Sequence, residues 1–136
     1  MQANQQYTEI TLKSDPRNLA QARKFVEGIA TKFGFNDEQV FDIKVAIGEA
    51  VSNAIEHGSP KGPLNSIKIT ADFLNDALEL NVIDEGVFKR AIKVDDPDPH
   101  HRGRGIPFML ALMDTVTINE TKSGTTVKLV KKLKKG

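Results

Sequence analysis

The sequence contains no cysteine among its 136 residues. This absence excludes disulfides, thiolate zinc sites, iron–sulfur clusters and a cysteine nucleophile. The sequence also has no apolar run approaching the ~20 residues that span a bilayer, and its polar start, MQANQQYTE, is unlike a signal peptide. We therefore expect a cytoplasmic protein that does not interact with a membrane.

The composition also lacks an excess of charge of either sign. The 19 Lys and Arg residues nearly balance the 18 Asp and Glu residues, which leaves a formal net charge of +1. Because nucleic-acid binders carry a concentrated positive field, we expect no direct nucleic-acid partner, and we interpret the lysines at 131–135 as a charged strand end and tail. The length fits one domain of ~100–200 residues, and no repeat or linker divides the chain. We predict a single domain over residues 1–136.

Hydrophobic periodicity predicts the order of the secondary-structure elements. Two helices follow a first strand: one begins near Pro16 and ends at Gly34, and the other is capped by Asn36 or Asp37 and ends at Gly58. The first strand is predicted at 7–13. The remaining predicted elements are strands at 67–73, 78–82, 115–119 and 125–133 and a helix at 106–113. This order indicates an α+β fold in which helices pack on one face of a mostly antiparallel sheet.

The stretch from 87 to 104 is the least regular part of the chain. It holds two prolines and clustered charges, which exclude a buried helix or a central strand. Loops longer than ~12–15 residues are uncommon in compact domains and are usually functional or disordered. We interpret His100 and His101 within it as solvated loop residues, because no acidic or cysteine partner stands at metal-ligand spacing.

A polar row follows one face of the second predicted helix. Glu49, Asn53 and His57 are spaced by four residues, so they share that face. The carboxylate of Glu49 could accept a proton, and the amide oxygen of Asn53 could bind a hard cation such as Mg²⁺. The alternative is the solvated side of an ordinary amphipathic helix.

Three further motifs carry candidate binding residues. Asp84 and Gly86 stand at the end of an apolar strand. There an aspartate can accept a hydrogen bond from an amino group, and a glycine lets the backbone approach a flat ligand closely. The alternative is an ordinary turn, in which the same residue types are common. Thr125 begins the last strand and offers a hydroxyl to a ligand. The alternative is that it only follows a hairpin turn that leads into the strand.

The third motif is Gly103-Arg104-Gly105, which opens the last predicted helix. Free amides at a helix N-terminus suit phosphate, and Arg102 and Arg104 add positive charge there. The alternative for this motif is a flexible hinge.

The order of these motifs resembles the ATPase superfamily of gyrase, histidine kinases and MutL, which has the Bergerat fold. More closely, it resembles the bacterial anti-sigma-factor serine kinases. The matching segments are VAIGEAVSNAIEHG at 45–58, GRGI at 103–106, LMD at 112–114 and GTTV at 124–127. The resemblance implies a two-layer α+β domain that uses ATP and Mg²⁺.

The resemblance also implies residue roles. Glu49 would be the general base that takes the proton of a partner's serine, and Asn53 would ligate Mg²⁺. Asp84 would accept the adenine amino group, Gly86 would give clearance, and Thr125 would support the same pocket.

In the same resemblance, Gly103 and Gly105 would present amides to the phosphates, with Arg102 or Arg104 near the γ-phosphate. Residues 87–102 would form the lid over the nucleotide. The chain departs from many superfamily members because Gly86 is followed by Val87 and Phe88 instead of a further glycine. That departure favours the anti-sigma kinases over the histidine kinases.

The resemblance implies a protein serine kinase that also acts as an anti-sigma factor. Its substrate would be an anti-anti-sigma protein with a STAS domain, its second partner a sigma factor or another regulated target, and its state a homodimer. The alternative is a nucleotide-binding module that sequesters a partner with little or no kinase activity. The detached ATP-binding half of a histidine kinase is less favoured, because no helical hairpin with a phospho-acceptor histidine precedes the domain.

Overall fold

The computed structural model describes residues 6–57, 59, 61–85, 109, 111–121 and 124–134. The loop at 87–104, including the predicted lid at 87–102, lies outside these residues, as does half of the helix predicted at 106–113. Of that helix, four residues are described: Met109, Ala111 and Leu112 are helical, and Met113 lies in a bend. The regular elements are β1 (Gln6–Lys13), α1 (Leu19–Lys32), α2 (Asp37–His57), β2 (Ser66–Leu74), β3 (Ala77–Asp84), β4 (Thr115–Thr121) and β5 (Gly124–Lys132), with short 3₁₀ turns at Pro16–Asn18 and Gly62–Leu64.

Side-chain caps fix where both helical segments begin. Before α1, the Asp15 carboxylate accepts the backbone N–H of Arg17 at 2.9 Å and starts the 3₁₀ turn. Before α2, Asn36 Oδ1 accepts the N–H of Gln39 at 2.8 Å, and Gln39 Oε1 accepts the N–H of Asn36 at 3.3 Å. This reciprocal pair is a capping box, so Asn36 caps α2 and Asp37 is its first residue.

The five strands form one sheet in the order β1-β2-β3-β5-β4. All four pairings are antiparallel. Asn75 and Asp76 turn the chain between β2 and β3 with positive φ angles of 56° and 59°, the conformation that suits a tight hairpin. The predicted predominance of antiparallel pairing is therefore confirmed.

The two helices pack against each other and cover one face of the sheet. Alternate residues of β2, β3 and β5 are buried beneath them, which is the period expected of a sheet with one covered face. The largest fully buried apolar side chains of this core are Val26, Ile43, Ile47, Val51, Ile67, Ile69, Leu78, Leu80, Val82, Met109 and Leu129. The predicted two-layer α+β fold is confirmed.

Contacts at both ends of α2 fix its direction over the sheet. At its N-terminal end, Gln39 Nε2 donates to the Lys132 carbonyl at 3.1 Å, where β5 ends. At its C-terminal end, the Ala54 carbonyl accepts from Ser59, whose hydroxyl is bonded to Ser14 beside the start of β2. Helix α2 therefore runs antiparallel to β5, and its C-terminal half lies toward the end of the sheet where β3 finishes and β5 begins.

Candidate functional site

A buried polar pair lies where β3 ends and β5 begins. Asp84 closes β3, Thr125 is the second residue of β5, and both are less than a tenth exposed. The Asp84 carboxylate accepts the backbone N–H of Thr125 at 3.1 Å. Both residues alternate with buried apolar positions of their strands, so both belong to the helix-facing side of the sheet. The structure thus brings together two of the predicted adenine-pocket residues.

Gly124 allows this approach of the two strands. Its φ is +151°, and a β-carbon at this position would stand 2.0 Å from the carbonyl oxygen of Asp84. No side chain fits in that space, because real β-carbon contacts essentially never fall below 3.0 Å. The close approach requires glycine at the start of β5.

The hydroxyl of Thr125 is the unusual feature of the pair. Its Oγ1 atom is fully buried and has no hydrogen-bond partner within the described part of the chain. Leaving a buried hydroxyl unpaired costs about 1–3 kcal/mol, so such groups are rare in native structures. A buried carboxylate beside an unpaired hydroxyl fits the hydrogen-bonding edge of a nucleotide base.

The polar row of α2 lies toward the same end of the fold. Glu49 and Asn53 stand one turn apart on one helix face, and both are half-buried, as is Ser52. Glu56 and His57, in the last turn, are exposed, and Glu56 Oε1 lies 3.7 Å from His57 Nε2. The row is therefore not a uniformly solvated face: its Glu49–Asn53 part is partly enclosed and its end is open.

The donor set suits Mg²⁺ only with help from phosphate. No group of three or more His, Cys, Asp or Glu residues that could hold a metal ion occurs among the described residues. Mg²⁺ is usually held by one or two protein groups together with substrate phosphates and water, so an amide oxygen such as that of Asn53 is a fitting single protein ligand.

The other predicted site residues, Gly86, Arg102, Gly103, Arg104 and Gly105, lie outside the described residues. Their roles stay predictions.

Two residues that the sequence motifs do not single out support the site. Glu85 Oε1 accepts the backbone N–H of Ser66 at 3.1 Å and the side-chain N–H of Asn65 at 3.4 Å. Asn65 is itself buried. Their contact depends on the register of β2 with β3, so no local motif reveals it.

Lys131 lies in β5 beside its last residue, at the strand end that the sequence predicts for the lysine run at 131–135, but that prediction does not include burial of its side chain. Lys131 is buried, and its Nζ atom lies 3.4 Å from Asp42 of α2 and donates to the Leu112 carbonyl. The alternation of buried residues along β5 predicts this burial, because Lys131 follows Thr125, Val127 and Leu129 on the helix-facing side.

Comparison with known proteins identifies the family. Residues 12–131 match the family described as histidine kinase-like ATPase domain. This chain belongs to that family. The chain is 29% identical to the serine-protein kinase RsbW of Bacillus subtilis, over 98% of this chain and 89% of the relative. It is 30% identical to the serine-protein kinase RsbW of Oceanobacillus iheyensis, over 86% and 81% of the two chains.

A solved structure agrees with this histidine kinase-like ATPase fold. The structure of the RsbU and RsbW domains of Rv1364c from Mycobacterium tuberculosis superposes with a TM-score of 0.74 at 23% identity. The match covers 96% of this chain and 33% of that longer chain, so the chain spans about a third of that protein. The predicted relationship to the anti-sigma-factor serine kinases is confirmed at the level of family and fold. No helix in the described part of the chain is long and apolar enough to cross a membrane.

Proposed function

We propose that this protein is an ATP-dependent serine-protein kinase and anti-sigma factor that acts in a partner-switching pathway. The observation that carries the proposal is the buried Asp84–Thr125 pair with its unpaired hydroxyl, at the same end of the fold as Glu49 and Asn53. Relatives named RsbW serine-protein kinases, similar over most of the chain, support it.

In this proposal the sheet end binds the adenine of ATP. The Asp84 carboxylate accepts a hydrogen bond from the adenine amino group, and the Thr125 hydroxyl gains the partner that it lacks within the described residues. Gly86 gives the base room. This pairing is favourable because the buried Thr125 hydroxyl, which has no partner among the described residues, gains a hydrogen bond.

The phosphates are assigned to the residues with matching charge. Gly103 and Gly105 present backbone amides, and Arg102 or Arg104 approaches the γ-phosphate. Asn53 would be the protein ligand of Mg²⁺, whose chemistry is to neutralise the charge that develops on the phosphate oxygens. Residues 87–102 form the lid.

Glu49 is proposed as the general base. It accepts the proton of a serine hydroxyl on the partner while that serine oxygen bonds to the γ-phosphorus. The bond from phosphorus to the bridging oxygen breaks, and ADP leaves with the electron pair. Phosphoryl transfer of this kind depends mainly on positioning and charge neutralisation, which fits a small domain with few catalytic groups.

The proposed partners are proteins. The serine belongs to an anti-anti-sigma protein with a STAS domain, and phosphorylation of that protein leaves the kinase free to bind a sigma factor or another regulated target. We propose that it acts as a homodimer in the cytoplasm, without direct contact to nucleic acid.

The test uses purified protein, the purified anti-anti-sigma partner, and ATP labelled at the γ-phosphate. The wild type should transfer label to a serine of the partner. Glu49→Ala should lower the transfer rate by about 10²–10⁴-fold, the usual contribution of a general base, while ATP still binds. Glu56→Ala is the matched control, because Glu56 is an exposed acid on the same helix, and it should transfer label at the wild-type rate.

Two results would contradict the proposal. Transfer by Glu49→Ala at the wild-type rate would remove Glu49 from the base role. A stable complex of the wild type with its partner and no labelled serine would instead support a sequestering module.

A further inference from the structure

A continuous line of hydrogen bonds connects the end of α2 to the residue after Asp84. It begins at the carbonyl of Ala54, next to Asn53, which accepts the Ser59 hydroxyl at 2.9 Å. Ser59 Oγ in turn accepts the hydroxyl of Ser14 at 2.5 Å. Ser14 is only 2% exposed, so water has little access to this part of the line.

Asn65 is the junction at which the line reaches the sheet. Its carbonyl accepts the backbone N–H of Ser14 at 2.9 Å, and its Oδ1 accepts the N–H of Lys61 at 2.7 Å. Its Nδ2 donates to Glu85 at 3.4 Å. One buried residue therefore links three segments: its backbone carbonyl bonds the end of β1, and its side chain bonds the loop that follows α2 and the turn that follows β3.

Glu85 completes the line beside the nucleotide-pocket pair. Its Oε1 atom accepts from both Asn65 Nδ2 and the backbone N–H of Ser66, although Glu85 itself is exposed. The adjoining carbonyl of Asp84 lies against Gly124 on the other side. The peptide between Asp84 and Glu85 is thus held from both flanks, by β2 through Glu85 and by β5 through Gly124.

We propose that Glu85 and Asn65 are positioning residues that fix the carboxylate of Asp84 for recognition of the amino group of adenine. They act through the backbone of the Asp84–Glu85 turn and do not touch the nucleotide. This inference rests on the proposed function, because it assumes that Asp84 accepts a hydrogen bond from adenine. The inference adds two residues that contribute to selectivity for adenine, and the line of hydrogen bonds connects both of them to the end of α2.

The test separates the amino-group contact from every other part of nucleotide binding. The dissociation constants of ATP and of purine riboside triphosphate, which lacks only the adenine amino group, are measured for each variant. The wild type should prefer ATP by about tenfold or more, as expected for a hydrogen bond to a charged acceptor. Glu85→Ala should lower that preference about fivefold, within the range seen for coupled neighbours, and should leave binding of the analogue nearly unchanged.

Conservative variants distinguish positioning from general stabilisation. Glu85→Gln keeps an Oε1 acceptor and should restore most of the preference for ATP. Asn65→Asp keeps the acceptor for the Lys61 N–H but replaces the donor that faces Glu85 with an acceptor, so it should lower the preference as Glu85→Ala does. Glu79→Ala removes an acid from β3, the strand that precedes Glu85, away from the pocket, and should keep the wild-type preference.

The outcomes assign failure to one hypothesis or the other. If the wild type binds ATP and the analogue equally, the adenine contact in the proposed function is wrong and this inference falls with it. If the wild type prefers ATP and Glu85→Ala keeps the same preference, or weakens both nucleotides equally, only the positioning role is overturned. Should Glu85→Ala fold poorly, the contrast between Glu85→Gln and Asn65→Asp decides the question.

Discussion

The carbonyl oxygen of Asp84 occupies the space in which a side chain on residue 124 would have to begin. A β-carbon there would lie 2.0 Å from this oxygen, and Gly124 has a φ of +151°, which L side chains rarely adopt. Space and backbone conformation therefore both require glycine, at the point where the two strands that carry Asp84 and Thr125 meet.

Gly124→Ala should separate these strands and weaken both stability and nucleotide binding. We expect a loss of about 2 kcal/mol or more in the free energy of unfolding, from combined strain and overpacking. ATP affinity should fall with it. Chemical denaturation and nucleotide titration measure the two effects.

Gly28→Ala is the matched control for that substitution. Gly28 lies in α1, where a β-carbon would meet nothing within 4 Å, so alanine should stabilise the helix by about 0.5–1 kcal/mol. Equal effects of the two alanines would contradict the steric account.

Thr125→Val tests the unpaired hydroxyl. Valine has nearly the same shape and removes the buried Oγ1 atom that lacks a partner within the described residues, so stability should rise by about 1 kcal/mol. ATP affinity should fall about tenfold if this hydroxyl bonds the nucleotide. Thr126→Val, on the opposite side of β5, should leave ATP affinity unchanged, and a Thr125→Val protein that binds ATP normally would show that the hydroxyl is not used.

Lys131→Met should destabilise the domain by about 1–3 kcal/mol. The substitution leaves the Asp42 carboxylate, which is only 21% exposed, without the cation beside it, and removes the donor to the Leu112 carbonyl. Lys132→Met is the control, because the side chain of Lys132 is exposed and its loss should change stability by at most about 0.5 kcal/mol. Urea unfolding of both proteins gives the comparison, and equal stabilities would exclude an energetic role for the buried lysine.

The Asp15–Arg17 pair predicts a local effect of pH. Hydrogen bonds from the Arg17 side chain and backbone lower the pKa of Asp15 from 3.8 to about 2. Because the folded-state pKa lies below the unfolded value, the pair contributes stability above pH 3.8, and this contribution is lost as the pH falls toward 2. In Arg17→Gln the Asp15 pKa should rise part of the way back, since the backbone bond remains. Carboxyl titration by NMR measures it, and an unchanged pKa would exclude the guanidinium as the main cause.

Local sequence signals account for the elements of the fold more fully than for the support of the site. The alternation of β2 and β3, and the Asn75-Asp76 turn between them, depend on neighbouring residues, so the hairpin is readable from the sequence. The start of α2 is readable for the same reason, but the pattern alone does not choose between Asn36 and Asp37 as the cap. Only the reciprocal bonds with Gln39 distinguish them.

The site itself combines both kinds of information. The order of motifs predicts Asp84 and Thr125, and the structure brings them together across β3 and β5. The contact of Asn65 with Glu85 spans 20 positions and arises only from strand register, so no motif predicts it. The burial of Lys131 escapes a local reading because a run of lysines suggests solvent exposure, whereas its alternate neighbours on β5 are core residues.

The position of β5 inside the sheet has a consequence for biosynthesis. This strand is the last of the described strands in the chain, yet it lies between β3 and β4. While the polypeptide emerges from the ribosome, β3 must keep one edge unpaired until residues up to about Lys132 have been made. Thr125 cannot meet Asp84 before that insertion, so nascent chains should acquire nucleotide binding late and in one step. Because such long-range pairing is intrinsically slow, the unpaired edge of β3 is exposed to mispairing in the nascent chain.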